Sequence, residues 1–567
     1  VEPQHATLAH EYDVLRSLAL AWRAVDPDPD TQFEIELLLA AGDHPGLEDR
    51  FGHRLAFGSG GMRGEMGAGP NRMNRVVVRQ LARALMTSMN EFGVEAPVVV
   101  IGYDARNKSR SFAEEVEGTV EALGGRPYRI PKPLPTPVLA FAVRHLRADA
   151  GVMITASHNT ANDNGCKVYG PSGALLVPPA DERLVEIMAG LDLPPRAGVA
   201  AVQPGGTGRR LPAGDDLIGA YLDATLGDLR ADPVVAGLRV VYTPLHGTAL
   251  EPMLRACARL GLSPTVVPSQ TETDPATWTV ERPNPEEAAS FETALRLARV
   301  HDADVVLAHD ADGDRLGVAI PTGTGYRRLT GDEIGLLLAE HLLSSGEGDD
   351  RLVINTIVSS SMLAKIAAAH GVHHAQTLPG IRWVLDAARR RPEQRLVFAY
   401  EGALGYVTSD AVHDKDGIVA GVRLLQLLGS LRRQGRTLGD ALADLDARYG
   451  AHLTTQIAVR YPGLGGRDRL LARLDALRDL PPAAVGSVPV LAVLDHRTGA
   501  HGLPAANLVE LRCDACDGAR VLLRPSETES MLKIYVELVA GRGDRRAAAM
   551  LEALGQDVRA LVLRAAA

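Results

Sequence analysis

A chain of 567 residues is longer than one hydrophobic core supports, so three or four domains are expected. The formal net charge of -10 and the lack of any basic stripe argue against nucleic acid as a partner. No apolar run approaches the ~20 residues that cross a bilayer, and the first thirty residues, with Glu2, Glu11, Asp13 and Asp26, lack the basic-then-apolar plan of a signal peptide. A cytoplasmic protein without a membrane partner is the expectation.

Residues 1–50 carry helical periodicity, with Leu15, Leu18, Leu20 and Trp22, then Phe33, Ile35, Leu37 and Leu38, separated by Asp26-Pro-Asp-Pro29. A helical extension is expected there. Phe57-Gly-Ser-Gly-Gly-Met-Arg-Gly64 is a glycine-rich turn whose backbone can approach an anion, with Arg63 able to bind phosphate through two N–H groups. A strand, Val98 to Tyr103, then enters a loop at Asp104-Ala-Arg106; a helix over 111–123, a strand over 126–130 and a stiff proline-rich crossing over 131–137 follow. The next strand opens Gly151-Val-Met-Ile-Thr-Ala-Ser-His-Asn159. This β-α-β-α-β order predicts a doubly wound sheet with Ser157 at its carboxyl rim, where open α/β sheets hold their ligands.

The same plan restarts at Leu238-Arg-Val-Val-Tyr-Thr243 and again at Arg351-Leu-Val-Ile-Asn-Thr356, running to a strand at Glu401. From Thr454 the pattern becomes alternating, with a helix over 467–479, a hairpin of 507–512 with 520–524 and a strand over 534–538. The fold class is therefore α/β: three similar doubly wound units in series around one central cleft, then a separate α+β domain. The expected boundaries are 1–50, 51–230, 231–345, 346–450 and 451–567. Cys513 and Cys516 form a C-x-x-C with no second pair to complete a zinc site, and read as a hairpin tip.

Two stretches carry chemistry. In 151–170, Ser157 can act as a nucleophile and His158 and Lys167 can move protons, while Asn162, Asn164 and Gly165 let the chain turn Lys167 back toward the serine. In 302–315, an apolar strand runs into Asp310, Asp312 and Asp314, hinged by Gly313. Carboxylates at every second position can converge on one hard cation such as Mg²⁺. A calcium hand would want Gly where Arg315 stands and Glu where Pro321 stands. Lysine is also informative, since it occurs only at 108, 132, 167, 365, 415 and 533 in an arginine-rich chain. A lysine kept among arginines is a candidate for proton transfer or a point charge on phosphate.

Thr155-Ala-Ser-His-Asn159 with Asn164-Gly-Cys-Lys167, followed by Asp310-Ala-Asp-Gly-Asp-Arg315, resembles the α-D-phosphohexomutases, the phosphoglucomutases and phosphomannomutases. Tyr400-Glu-Gly-Ala-Leu-Gly-Tyr406 looks like that family's sugar loop and Arg524-Pro-Ser-Glu-Thr-Glu-Ser530 like its phosphate loop. The length, the N-terminal extension, Phe57-Gly-Ser-Gly-Gly61 and Asp414-Lys-Asp-Gly417 are closest to the phosphoglucomutase-2-like branch. The resemblance implies an enzyme that interconverts hexose 1-phosphate and 6-phosphate, of glucose or mannose, through a phosphoserine and a sugar bisphosphate. It implies Ser157 as phosphoryl carrier, with Ser157, Asp310, Asp312 and Asp314 on one Mg²⁺. Arg63, His158, Lys167 and Arg315 are implied around the reaction, and Glu401, Lys415, Arg382, Arg524, Ser526 and Thr528 on the substrate. A sugar bisphosphate activator, a C-terminal lid and a monomer or homodimer complete the expectation.

The sequence departs from the family at Thr160, Ala311, Ala403 and Arg382, and most sharply at Glu527 and Ser530, where the phosphate loop normally has glycine and proline. A carboxylate beside a phosphate dianion is repulsive, and a Cβ restricts positive φ. The altered loop admits rivals: a phosphopentomutase, a sugar-bisphosphate synthase, a phosphatase-like relative or a sugar-phosphate-binding regulatory pseudoenzyme.

Overall fold

The computed structural model describes residues 2–58, 60–193, 216–461, 465–526, 530–541, 544 and 546–563, with backbone alone for 2–11. They form two compact bodies. Val1–Arg230, Arg239–Leu316 and Ala411–Ile418 make the first; Ala231–Leu238, Gly317–Asp410 and Val419–Ala567 make the second.

Three helices, Glu2–Val25, Pro29–Ala41 and His44–Phe51, begin the first body. Asp28 breaks the first two apart as an N-cap: its side chain accepts from the Asp30 N–H, and Pro29 sits at the first turn, where its missing donor costs nothing. Ala19, Trp22, Ile35, Leu47 and Phe51 share one core with the helix Arg75–Glu91, so the extension is built into the first α/β domain.

That domain holds a six-stranded sheet of β1 (Phe57–Gly58), β2 (Gly61–Glu65), β3 (Val98–Tyr103), β4 (Arg126–Arg129), β5 (Ala150–Ile154) and β6 (Asp163–Tyr169), in the order β1-β2-β6-β5-β3-β4. Strands β3, β4 and β5 are parallel, as the β-α-β-α-β order predicts. The other half differs: β6 runs antiparallel to β5, and β2 antiparallel to β6. A parallel neighbour needs a crossover of about a dozen residues. Here the chain reverses within a turn tied by Thr160 Oγ1 donating to Asp163 Oδ2 at 2.9 Å, so β6 can only return as a hairpin partner.

The second unit restarts with β7 (Val240–Thr243), β8 (Thr265–Val266) and β9 (Val305–His309), with β7 parallel to both of the others. Strand β10 (Leu316–Thr322) leads from the first body into the second and forms a hairpin with β11 (Gly325–Arg328).

In the second body, β12 (Arg351–Thr356) lies parallel between β13 (His373–Thr377) and β14 (Arg395–Glu401), and β15 (Gly405–Val407) adds an antiparallel edge. The helix Gly331–Ser345 beside them starts at a capping box of Thr330 and Glu333. The C-terminal domain is a six-stranded antiparallel sheet of β16 (Ala451–Arg460), β17 (Ala484–Val485), β18 (Val488–Asp495), β19 (Val509–Cys513), β20 (Gly518–Pro525) and β21 (Met531–Ala540), ordered β16-β21-β20-β19-β18-β17. The expected hairpin is β19 with β20. Strands β17 and β18 were not expected, because the run 488–494 is apolar without alternation and β18 leaves Leu491 exposed.

One buried network joins the last two domains. Glu537 on β21 pairs with Arg520 on β20, whose Nε donates to Glu537 Oε2 at 2.6 Å. Arg520 also donates to the carbonyls of Ile357 (3.0 Å) and Ser359 (2.6 Å), and the Ser361 N–H and Ser360 hydroxyl reach Glu537 Oε1 at 2.7 and 3.0 Å. Burial pushes the Glu537 carboxyl up, but His452, the Arg520 charge and the Ser361 N–H outweigh it and bring the carboxyl down to about 2. Arg520→Ala would strand a buried carboxylate, and its expected cost is about 3–5 kcal/mol in urea unfolding of the second body. Because the folded value is depressed from 4.5, the network's contribution is fully present above about pH 4.5 and lost as pH falls toward 2. Glu537→Gln should flatten that acid limb, and an unchanged limb refutes the assignment.

Candidate active site

The loop after β5 is held in shape by a charged network beneath it. Asp104, at the carboxyl end of β3, accepts from Thr155 Oγ1 (2.7 Å) and Ser109 Oγ (2.6 Å) and pairs with Arg106 at 3.1 Å. Arg106 in turn donates to the carbonyls of Ser157, Asn159 (2.8 Å), Thr160 and Asp163 (3.2 Å), and its guanidinium lies 5.1 Å from the Trp278 ring. One planar fork with several donors thus collects the loop's outward carbonyls. The Ser157 N–H is taken by Thr155 Oγ1 at 2.8 Å, and Ser157 sits at φ 53, a left-handed conformation uncommon for serine. Gly165, opposite on β6, leaves no room for a side chain: a Cβ would lie 2.5 Å from the Met62 carbonyl and 2.7 Å from that of Thr155.

Ser157 Oγ donates to Asp310 Oδ2 at 2.9 Å. Asp310, Asp312 and Asp314 follow β9 and turn at Gly313, φ +70, so that one oxygen from each lies within 4.8 Å of the others, all three buried. Lys167 Nζ reaches Asp312 Oδ2 at 2.7 Å and Asp314 Oδ2 at 2.6 Å, and Lys415 Nζ lies 3.3 Å from Asp314 Oδ2. Thr136 Oγ1 donates to Asp312 Oδ2 at 2.7 Å. Burial and the Asp312 and Asp314 charges push the Asp310 carboxyl far above its usual range, whereas for Asp312 burial is outweighed by Lys167 and Thr136, which hold it far below. Burial would lower Lys167, but the Asp312 and Asp314 charges outweigh it and raise it, which favours the ammonium.

The donor set fits a hard divalent cation. Oδ1 of Asp312 and Oδ1 of Asp314 are buried with no hydrogen-bond partner among the described residues, a costly state for carboxylate oxygens that a cation would relieve.

Of the other expected residues, Arg63 lies on β2 opposite Gly165 and donates to the Gly60 carbonyl at 3.3 Å, and its charge acts on Asp312 and Lys167. Arg315 pairs with Glu286 at 2.8 Å, and its backbone N–H donates to Asp310 Oδ1 at 3.1 Å. His158 is half-buried beside Ser157. Glu401 ends β14 and Arg382 lies in the first turn of the helix Ile381–Arg389, its guanidinium 5.3 Å from the Trp383 ring; both belong to the second body. Arg524 ends near the turn after β20, where the Ser526 N–H donates to the Met531 carbonyl at 2.8 Å. Thr528 and Glu527 lie outside the described residues.

Models of the phosphoglucomutase/phosphomannomutase α/β/α domains I, II and III match residues 54–194, 220–323 and 330–449. The chain is 33% identical over 500 residues to a probable phosphomannomutase of Haemophilus influenzae, covering 86% of this chain and 97% of that one. It is 32% identical over 555 residues to a probable phosphoribomutase of Schizosaccharomyces pombe, covering 92% and 93%. The chain belongs to the phosphoglucomutase/phosphomannomutase family. A structure of a putative phosphomannomutase from Thermus thermophilus shares the fold, with TM-score 0.68 at 22% identity over 90% of this chain and 99% of that one.

Within this family member, sequence reasoning missed the residues that support the site: Asp104, Arg106, Thr136 and Tyr169. Tyr169, on β6, donates to Asp414 Oδ2 at 2.7 Å, beside Lys415. A signal existed for Asp104 and Arg106, which end a buried strand at the same rim as Ser157. None existed for Thr136, inside a proline-rich crossing. Arg106→Ala and Arg106→Lys both remove the fork that shapes the Ser157 loop, and either variant should lose about 10²-fold in kcat with little change in KM. Mutase kinetics beside circular dichroism of the folded variants check this, and a wild-type kcat in either overturns the positioning role.

Proposed function

We propose that the protein is a phosphosugar mutase that interconverts hexose 1-phosphate and 6-phosphate, with glucose or mannose as the sugar. The carrying observation is the Ser157 hydroxyl bonded to Asp310 within a buried triad in which Oδ1 of Asp312 and Oδ1 of Asp314 have no hydrogen-bond partner among the described residues. In this reading Ser157 Oγ carries a phosphoryl group. The group passes to the free hydroxyl of the bound sugar phosphate, giving a sugar bisphosphate, and the sugar's other phosphate then returns to Ser157. Asp310, Asp312, Asp314 and the Ser157 phosphate would hold Mg²⁺, which supplies charge neutralisation for the transferring phosphoryl group.

The chain's own residues do the rest. Arg106 sets the Ser157 backbone, Lys167 and Lys415 keep Asp312 and Asp314 ionised, and Arg63 and Arg315 add positive charge where phosphoryl oxygens gather. His158 takes or returns the proton of the reacting hydroxyl. Glu401 accepts from sugar hydroxyls with Arg382 nearby, while Arg524, Ser526 and Thr528 hold the phosphate that is not reacting. A sugar bisphosphate would prime the serine. A pentose phosphate is the second reading, supported by the likeness to the Schizosaccharomyces pombe relative named a phosphoribomutase and by Glu527 in the phosphate loop.

Labelled glucose 1,6-bisphosphate should transfer phosphate to the wild-type protein and not to Ser157→Ala, whose turnover should be lost in a panel of hexose, pentose and amino-sugar 1-phosphates. Near wild-type turnover by Ser157→Ala would sink the assignment. Separately, excess chelator should abolish activity and added Mg²⁺ restore it, while Asp312→Asn should fall by orders of magnitude and resist rescue. Full activity in chelator would remove the metal from the mechanism.

A further inference from the structure

Among the described residues, a second cluster brings three ligating side chains within 4.8 Å of one another: His496, His501 and Glu510. It lies in the C-terminal domain. His496 follows directly on β18 and opens a short turn, Glu510 is the second residue of β19, opposite Leu494, and His501 lies on the connection between the strands. Glu510 Oε2 is 3.2 Å from His496 Nε2 and 2.9 Å from His501 Nε2. Arg512 Nε donates to the other oxygen, Oε1, at 3.1 Å.

Two imidazole N–H groups on one carboxylate would be the ordinary account, and it serves for His496. It fails at His501. The same Nε2 also faces Arg512 Nη2 at 3.3 Å, and a guanidinium can only donate. With a proton on Nε2, Arg512 meets an N–H; without one, Glu510 Oε2 meets a lone pair. A cation between the three atoms uses both lone pairs, and the Arg512 side chain, half exposed, can turn its Nη2 to solvent while Nε keeps Oε1. The spacing also suits a metal. Ligands at 2.0–2.1 Å on a tetrahedral centre stand ~3.3 Å apart, and histidines separated by four residues are a familiar zinc pattern.

We propose that His496 Nε2, His501 Nε2 and Glu510 Oε2 form a Zn²⁺ site that ties the β18–β19 connection together. Two imidazoles and one carboxylate favour Zn²⁺ over Mg²⁺, which separates this site chemically from the all-oxygen aspartate triad. His501, a third exposed, gives the entry path and leaves a fourth position for water. His496 Nδ1 has no hydrogen-bond partner among the described residues, so the outer support of a tight structural site is incomplete.

The test uses the full chain, stripped with chelator and then dialysed against limiting Zn²⁺ in excess Mg²⁺. One zinc per chain should remain on the wild type and on Asp312→Asn. His501→Ala and Glu510→Gln should bind that zinc at least about tenfold more weakly. His501 is partly exposed, so its truncation spares the fold, and zinc should raise the melting temperature of the wild type but not of His501→Ala. Co²⁺ in place of zinc should give the intense visible bands of a tetrahedral centre, absent in both variants. Equal zinc binding by wild type and both variants, or loss of the wild-type zinc in Asp312→Asn alone, overturns the proposal.

Discussion

Three carboxylates held within 4.8 Å of one another in a buried site are the constraint on which the first body depends. Two unit charges at that separation repel by about 3–4 kcal/mol even at an effective dielectric near 20. The fold answers with cations and donors from distant parts of the chain: Lys167 from β6, Lys415 from the segment that returns to this body, and Thr136 from the first turn of the helix Thr136–His145. The balance is incomplete, since Asp310 is pushed upward while Asp312 is held down, and two carboxylate oxygens have no partner among the described residues. Unpartnered carboxylate oxygens beside a serine hydroxyl are a donor set that fits a hard cation.

The hairpin of β5 and β6 is what makes this possible. It sets Met153 opposite Lys167, so β6 brings Lys167 back beside the strand that leads into Ser157. Gly165 lets β6 approach closely, and Arg106 fixes the loop between them. The second body shows the same logic on a structural rather than chemical task. Arg520 and Glu537 are cross-strand partners, yet each also reaches the loop after β12, so a single ion pair joins two domains.

Of six lysines, Lys167 and Lys415 both approach Asp314, while Lys108 pairs with the buried Asp28, Lys132 with the exposed Glu251, and Lys365 donates to the Tyr449 carbonyl. Lys167 and Lys415, the two of the scarce lysines that fall inside motif stretches, are thus the two that approach Asp314, where a compact ammonium fits between carboxylates that a planar guanidinium would force apart. The same reasoning could not have found His496, His501 and Glu510, whose meeting depends on β18, a strand that the sequence pattern hides.

What the sequence alone determined was local: the helical extension, the repeated strand–helix order, the serine at a strand end and the aspartates at alternate positions, all of which rest on periodicity and turn chemistry within a few residues. Tertiary structure decided the rest. Whether β6 ran parallel or antiparallel depended on the length of a turn, and the partners of each aspartate depended on segments 100 to 180 residues away, as with Lys167, Thr136 and Ser157. Charge balance in a buried site is a sum over neighbours in space, and no window along the chain contains that sum.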